Sequence, residues 1–211
     1  MGRYRDRTEA GRQLAGHLAH HHGSHPLVLG LAGGGMVVAA QVAAALDGSL
    51  DVVVAVPFGP PGNPDLSIGA VASDGTAVVE ESLVDRLGLT AADLAAEVAG
   101  GVARARRRER ALRRGRGPEV GGRTVLVVDD GVAGGVTLRA ALGLVRRGGP
   151  ALLVCAVPVG PPATVDLIAA EADEIVCPLQ PLRFHAVGEW YEEYGEVGDD
   201  EVAALLEAGR S

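Results

Sequence analysis

Residues 124–141, TVLVVDDGVAGGVTLRAA, restrict the folds open to this chain more tightly than any other stretch. Thr124 to Val128 is a run of β-branched and aliphatic residues, as expected of a strand in a buried sheet. It ends in the adjacent carboxylates Asp129 and Asp130. A loop of small residues follows, with Gly131, Ala133, Gly134 and Gly135, then Val136, Thr137 and a helical stretch from Leu138. This order puts two anionic groups at the carboxyl end of a buried strand, the edge at which open α/β sheets bind ligands. The loop can turn several backbone N–H groups toward a phosphate, with the dipole of the next helix behind it. The plainer reading of the same residues is a buried parallel strand followed by a helix cap.

The rest of the chain supplies the elements such a sheet needs. Residues 7–22 read as a first helix, with Leu14 and Leu18 four apart. Five of the six histidines, His17, His20, His21, His22 and His25, cluster at its end. Spacings of three and four suit metal chelation, but no carboxylate or cysteine shares that face, and the cluster reads as a solvated helix end. Pro26 to Leu31 is a strand candidate, followed by Ala32-Gly33-Gly34-Gly35 and a helix from Met36 to Leu46. This second strand–glycine–helix unit is either an anion pocket or a tight packing turn. It fails the dinucleotide fingerprint, because Val38 stands where Gly or Ala is needed and Asp51 begins the next strand instead of ending it.

Asp51 to Val56 reads as the next strand, and residues 57–72 as a Pro/Gly-rich loop running into a strand. Asp74-Gly75 marks a hairpin turn. Leu87 to Arg114 reads as one long helix with Thr90 as a cap residue. Eight of the nineteen basic residues fall between Arg104 and Arg116, either a solvated helix face or a cationic loop. A helix at 136–147, a strand at 151–157, a helix at 165–171 and a strand at 174–177 complete an α/β fold. It is a doubly wound, mostly parallel sheet with helices on both faces. The segment 184–194 holds four of the six aromatics, Phe184, Trp190, Tyr191 and Tyr194. It reads as a plug that packs the tail helix (200–206) across the sheet edge, the alternative being a stacking wall for a planar acceptor.

Bulk properties narrow the function. The 211 residues suffice for one well-buried domain spanning 1–211, with a flexible loop near 112–122 and an aromatic tail over 181–211. A net charge of −8 supplies no basic field for nucleic acid. No apolar run reaches the roughly 20 residues of a membrane span, and the N-terminus has no signal-peptide core. Cys155 and Cys177 sit in apolar runs and read as buried free thiols, consistent with the cytoplasm. All nineteen basic residues are arginine, which removes Schiff-base chemistry and lysine-dependent phosphate sites.

The 124–141 segment resembles the signature of type I phosphoribosyltransferases, which use phosphoribosyl pyrophosphate (PRPP) as ribose donor. Within that family the chain is most similar to a bacterial subgroup, through Tyr4-Arg5-Asp6-Arg7 with Glu9-Ala10-Gly11, Pro60-Pro61-Gly62-Asn63-Pro64-Asp65, Asp129 to Thr137, and Phe184 to Tyr191. The resemblance implies catalytic roles for Asp129 and Asp130 on the ribose hydroxyls, and a 5-phosphate site along Gly131 and Ala133 to Thr137. It implies a pyrophosphate loop at Ala32 to Gly35 and loop cations among Arg113, Arg114 and Arg116 that close over the site. It also implies Mg²⁺ bridged through the substrate, with Asp129 and Asp130 acting on it indirectly. Trp190 and Tyr191 are the candidates for stacking an acceptor of unknown identity, the C-terminal segment forms a small hood, and a homodimer is expected.

Three positions depart from the pattern. Gly33 replaces an arginine of the glycine turn, Pro57 replaces the lysine of an Arg-Lys pair, and Gly134 replaces a threonine. Each lost charge-assisted hydrogen bond is worth ~1.5–3 kcal/mol. Three functions follow as expectations: a divergent phosphoribosyltransferase, an enzyme of altered chemistry on a smaller phosphorylated or anionic substrate, or a non-catalytic ligand sensor of the same fold.

Overall fold

The two apolar runs 27–31 and 124–128 lie side by side as parallel strands, Gly30 opposite Val128, and the remaining elements wind around them. A computed structural model of the chain describes residues 2–64, 66–113 and 117–209. In chain order the elements are α1 (Arg7–His17), β1 (Leu27–Leu31), α2 (Gly34–Leu46), β2 (Ser49–Val53), β3 (Ala55–Phe58), β4 (Gly69–Ala72) and β5 (Ala77–Val79). They continue with α3 (Glu81–Leu87), α4 (Ala91–Leu112), β6 (Thr124–Val128), α5 (Val136–Arg147), β7 (Leu152–Ala156), α6 (Pro162–Ala169), β8 (Glu174–Val176) and α7 (Asp199–Ala208).

Five strands form a parallel sheet in the order β2-β1-β6-β7-β8. Alternation along each strand sorts its side chains between two apolar layers. Val28, Leu126 and Val154 face α1, α2 and α7, while Leu29, Val127 and Cys155 face α5 and α6. The sheet is therefore doubly wound. Its strand order reverses between β1 and β6, so the loops leaving these neighbours diverge to opposite faces and open a crevice at their carboxyl ends. That crevice is where the acidic pair and the glycine turn meet.

The strand expected over 51–56 divides at Val54. Its second half, β3, pairs antiparallel with β4, and β4 with β5, as a separate three-stranded sheet. Ile68 and Val71 pack toward α4, and Ala70 and Ala72 toward α5. The long helix expected from Leu87 begins at Ala91 as α4, and a separate short helix, α3, precedes it. Gly88 ends α3 at φ +63°, a conformation costly for other residues. Thr90 and Asp93 then form a reciprocal capping box that starts α4. The tail aromatics and the tail helix also separate. Val202 and Leu206 of α7 join the core beside α2 and β2, whereas Tyr191, Phe184 and Trp190 cluster with Tyr4 and Val159. The expected plug is thus two devices, an edge-covering helix and an aromatic cluster near the carboxyl ends of β6 and β7.

Candidate active site

Asp129 and Asp130 leave β6 with different surroundings. Asp129 is half-buried and lines a cavity of about 440 Å³, together with Gly131, the loop 132–138, Ser67, Glu80 and Leu83. Burial raises its carboxyl well above the usual carboxylate range, and the neighbouring charge of Asp130 adds to the shift. Its Oδ1 accepts a 2.9 Å hydrogen bond from the Asp130 N–H. Asp130 is only 7% exposed and points elsewhere. Its Oδ2 accepts from Arg7 Nε at 2.6 Å, and its backbone carbonyl accepts from the Tyr191 hydroxyl.

Arg7 is itself 9% exposed. It reaches the site because α1 starts at Asp6, whose side chain caps the helix by accepting from the Glu9 N–H. The guanidinium donates to the Gly195 carbonyl at 2.7 Å and lies 3.9 Å from the Tyr194 ring centroid. Burial, with the Asp130 charge beside it, pushes the Tyr194 hydroxyl up to about 12. The motif reading gives Arg7 no role, and nothing in local sequence pairs positions 123 residues apart.

The loop after the pair meets the demands of an anion cradle. Gly135 precedes α5 at φ +85°, where only glycine sits easily, and no side chain caps the helix. Among the described residues, the N–H groups from Ala133 to Leu138 have no acceptor within the protein. First-turn donors of this kind, facing a cavity with a helix dipole behind them, favour a negative group. The Thr164 hydroxyl holds the loop by donating to the Ala133 carbonyl at 2.6 Å. A Cβ on Gly131 would meet Val187 Cγ1 at 2.6 Å, so this position too needs glycine.

The Ala32–Gly35 turn packs directly against the acids and does not line the cavity. A Cβ on Gly34 would strike the Asp130 carboxylate and Arg7 Nε, and one on Gly35 would come within 2.8 Å of Asp129 Oδ1. Gly33, the position of the missing arginine, caps α2 at φ +120° with open space around it. Arg113 ends α4 and is held by Asp51 Oδ1 at 2.9 Å, Glu109 Oε1 at 2.6 Å and the Val52 carbonyl. It does not line the cavity. Arg114 and Arg116 lie outside the described residues.

Neither stacking candidate lines the cavity. Tyr191 is 3% exposed and packed between Tyr4 and Tyr194, so its ring faces are covered. Trp190 stacks on Phe184, with centroids 6.3 Å apart. Ser67 and Glu80, which do line the cavity, arrive from the residues flanking β4 and from the start of α3. Neither belongs to a motif, and only the tertiary fold brings them there.

A model of the phosphoribosyl transferase domain matches residues 4–192 of this chain. The chain belongs to the phosphoribosyltransferase family. Among phosphoribosyltransferase relatives it is 41% identical to the Mycobacterium tuberculosis H37Rv protein named "Putative phosphoribosyl transferase Rv0571c", over 208 residues. That match takes in 98% of this chain and 47% of the relative, so the chain spans about half the length of the curated relatives it matches. The crystal structure of TT1426 from Thermus thermophilus is 42% identical, with 97% of each chain covered and a TM-score of 0.80. A purine phosphoribosyltransferase from Pyrococcus horikoshii Ot3 shares the fold, at a TM-score of 0.50 and 16% identity over 89% of this chain and 90% of that one. Among the described residues of this chain, no helix is long and apolar enough to cross a membrane.

Proposed function

We propose that this chain is a divergent phosphoribosyltransferase that binds PRPP across the β1–β6 crevice and transfers its phosphoribosyl group to a small acceptor in the cytoplasm. The observation that carries the reading is the uncapped start of α5. Its free N–H groups and the Asp129 carboxylate face one 440 Å³ cavity. The N–H groups from Ala133 to Thr137 hold the 5-phosphate by dipole and hydrogen bond. Asp129 accepts from a ribose hydroxyl. Asp130 positions Asp129 through its own N–H, and is fixed in turn by Arg7 and Tyr191.

The chemistry asked of the protein is alignment and charge neutralisation. The bond from ribose C1 to the pyrophosphate oxygen breaks with its electron pair leaving on pyrophosphate. The acceptor's lone pair forms the new bond at C1, and the acceptor's proton passes to water. No side chain forms a covalent intermediate. The carboxylates of Asp129 and Glu80 offer the hard oxygen donors that Mg²⁺ prefers. When bound there with substrate, Mg²⁺ would supply charge neutralisation at the pyrophosphate.

One observation favours a second reading. Asp130 is engaged by Arg7, and cations are absent at Gly33 and Pro57, which suits a smaller phosphorylated substrate handled by altered chemistry. Binding of PRPP and of ribose 5-phosphate, followed calorimetrically with Mg²⁺, separates the two. PRPP binding with pyrophosphate release in the presence of a panel of acceptors supports transfer. Ribose 5-phosphate binding without PRPP binding supports the second reading, and binding of neither removes both.

A further inference from the structure

The histidine cluster at the end of α1 acquires a partner that its sequence neighbourhood lacks. Residues 19–21 form a 3-10 turn, and its two adjacent imidazoles converge on one carboxylate. His20 Nε2 lies 2.9 Å from Glu174 Oε1, and His21 Nε2 lies 3.1 Å from Glu174 Oε2. The ring centroids of His20 and His21 are 4.1 Å apart. The expectation that no carboxylate shares the histidine face is therefore corrected by the fold. Glu174 opens β8 in register with Val154 of β7 and, through it, Leu126 of β6. Strand alternation turns residues at this level toward the α1 side of the sheet, where the 3-10 turn waits.

We propose that His20, His21 and Glu174 form a binding site for a first-row divalent cation of the Zn²⁺ type, separate from the acidic-pair site. One ligand atom from each residue lies within 4.8 Å of the other two. Two imidazoles and one carboxylate form a donor set that Zn²⁺ takes, with the remaining position left to water. At bond lengths of about 2.1 Å, tetrahedral ligand atoms sit about 3.4 Å apart. The two imidazole–carboxylate contacts need to open by a few tenths of an ångström, and a set of ligand atoms within 4.8 Å of one another needs to settle to that spacing. His21 is 7% exposed and anchors the site, while Glu174 and His20 reach solvent and can adjust. On binding, the Nε2 protons give way to the cation and each ring carries its proton on Nδ1. Glu174 lies three residues below the level of Asp129 and two strands away from β6, so the cation does not compete for the substrate. Its effect is to tie the end of α1 to β8, a three-residue edge strand.

The test is calorimetric titration of Zn²⁺ into the wild-type chain and into Glu174→Gln, which keeps the shape and loses the anionic donor. Wild type is expected to bind one Zn²⁺ per chain. Its thermal midpoint should rise by about 5 °C or more at a hundredfold excess over Kd. Glu174→Gln should bind at least tenfold more weakly with its metal-free midpoint nearly unchanged. Co²⁺ should give the intense visible absorption of a low-coordinate site in wild type and lose it in the variant. Absence of Zn²⁺ binding overturns the proposal. So does equal binding by Glu174→Gln, which would leave the metal to imidazoles alone, with no part for the carboxylate.

Discussion

Asp129 carries the largest share of the proposed activity, and its environment makes the claim measurable in two directions. Its folded carboxyl titrates above the unfolded value, chiefly through burial. Between those two values the folded chain holds a proton that the unfolded chain has released, so stability falls as pH rises through that window. Ligand binding runs the other way, because the ionised carboxylate is the stronger acceptor for a hydroxyl donor. Affinity for a ribose phosphate should be full above the raised pKa and decline as pH drops through it, as a titration at several pH values would record. Asp129→Asn should melt higher than wild type at neutral pH and bind ribose 5-phosphate about tenfold to a hundredfold more weakly. Arg7 behaves differently. Its pair with Asp130 is buried on both sides, so Arg7→Ala should cost about 3 kcal/mol in urea denaturation by leaving a carboxylate unpaired. The acids and their loop were legible in sequence because they are contiguous. Arg7, Ser67 and Glu80 were not, because each is brought in from a distant element.

Glycines decide the behaviour of the turns that hold the acids. Gly34→Ala would drive a methyl group into the Arg7–Asp130 pair, and should lower stability by about 2–3 kcal/mol while weakening ligand binding through a displaced Asp129. Gly33→Arg restores a charge that the family pattern carries, yet φ +120° is hostile to any side chain. That variant should lose about 1–3 kcal/mol of stability, and its PRPP affinity should rise only if the turn rearranges; paired melting and binding curves record both. Secondary structure is legible wherever a cap or a period speaks alone: the Asp74-Gly75 hairpin and the Thr90 cap both stand where they are expected. It is obscure where one apolar run serves two sheets, as at Val54, or where a helix of 7 residues, α3, is too short to show a period. Periodicity records burial and does not record which neighbour does the burying.

At the scale of the molecule, a doubly wound parallel sheet was implicit in the alternation of strands and helices, whereas its order β2-β1-β6-β7-β8 was not, and the reversal between β1 and β6 is what aligns the two small-residue loops. The antiparallel β3–β5 unit was less legible, and it contributes the far wall of the cavity through Ser67 and Glu80. The histidine cluster shows the same limit, since its carboxylate partner lies more than 150 residues away. The central claim is that a sugar phosphate is held between Asp129 and the open first turn of α5. Calorimetric titration of PRPP with Mg²⁺ into wild type and Asp129→Asn tests this most directly. The account predicts one site per chain in wild type and a tenfold or greater loss of affinity in the variant. Equal affinity in the two proteins, or no heat in either, would contradict it.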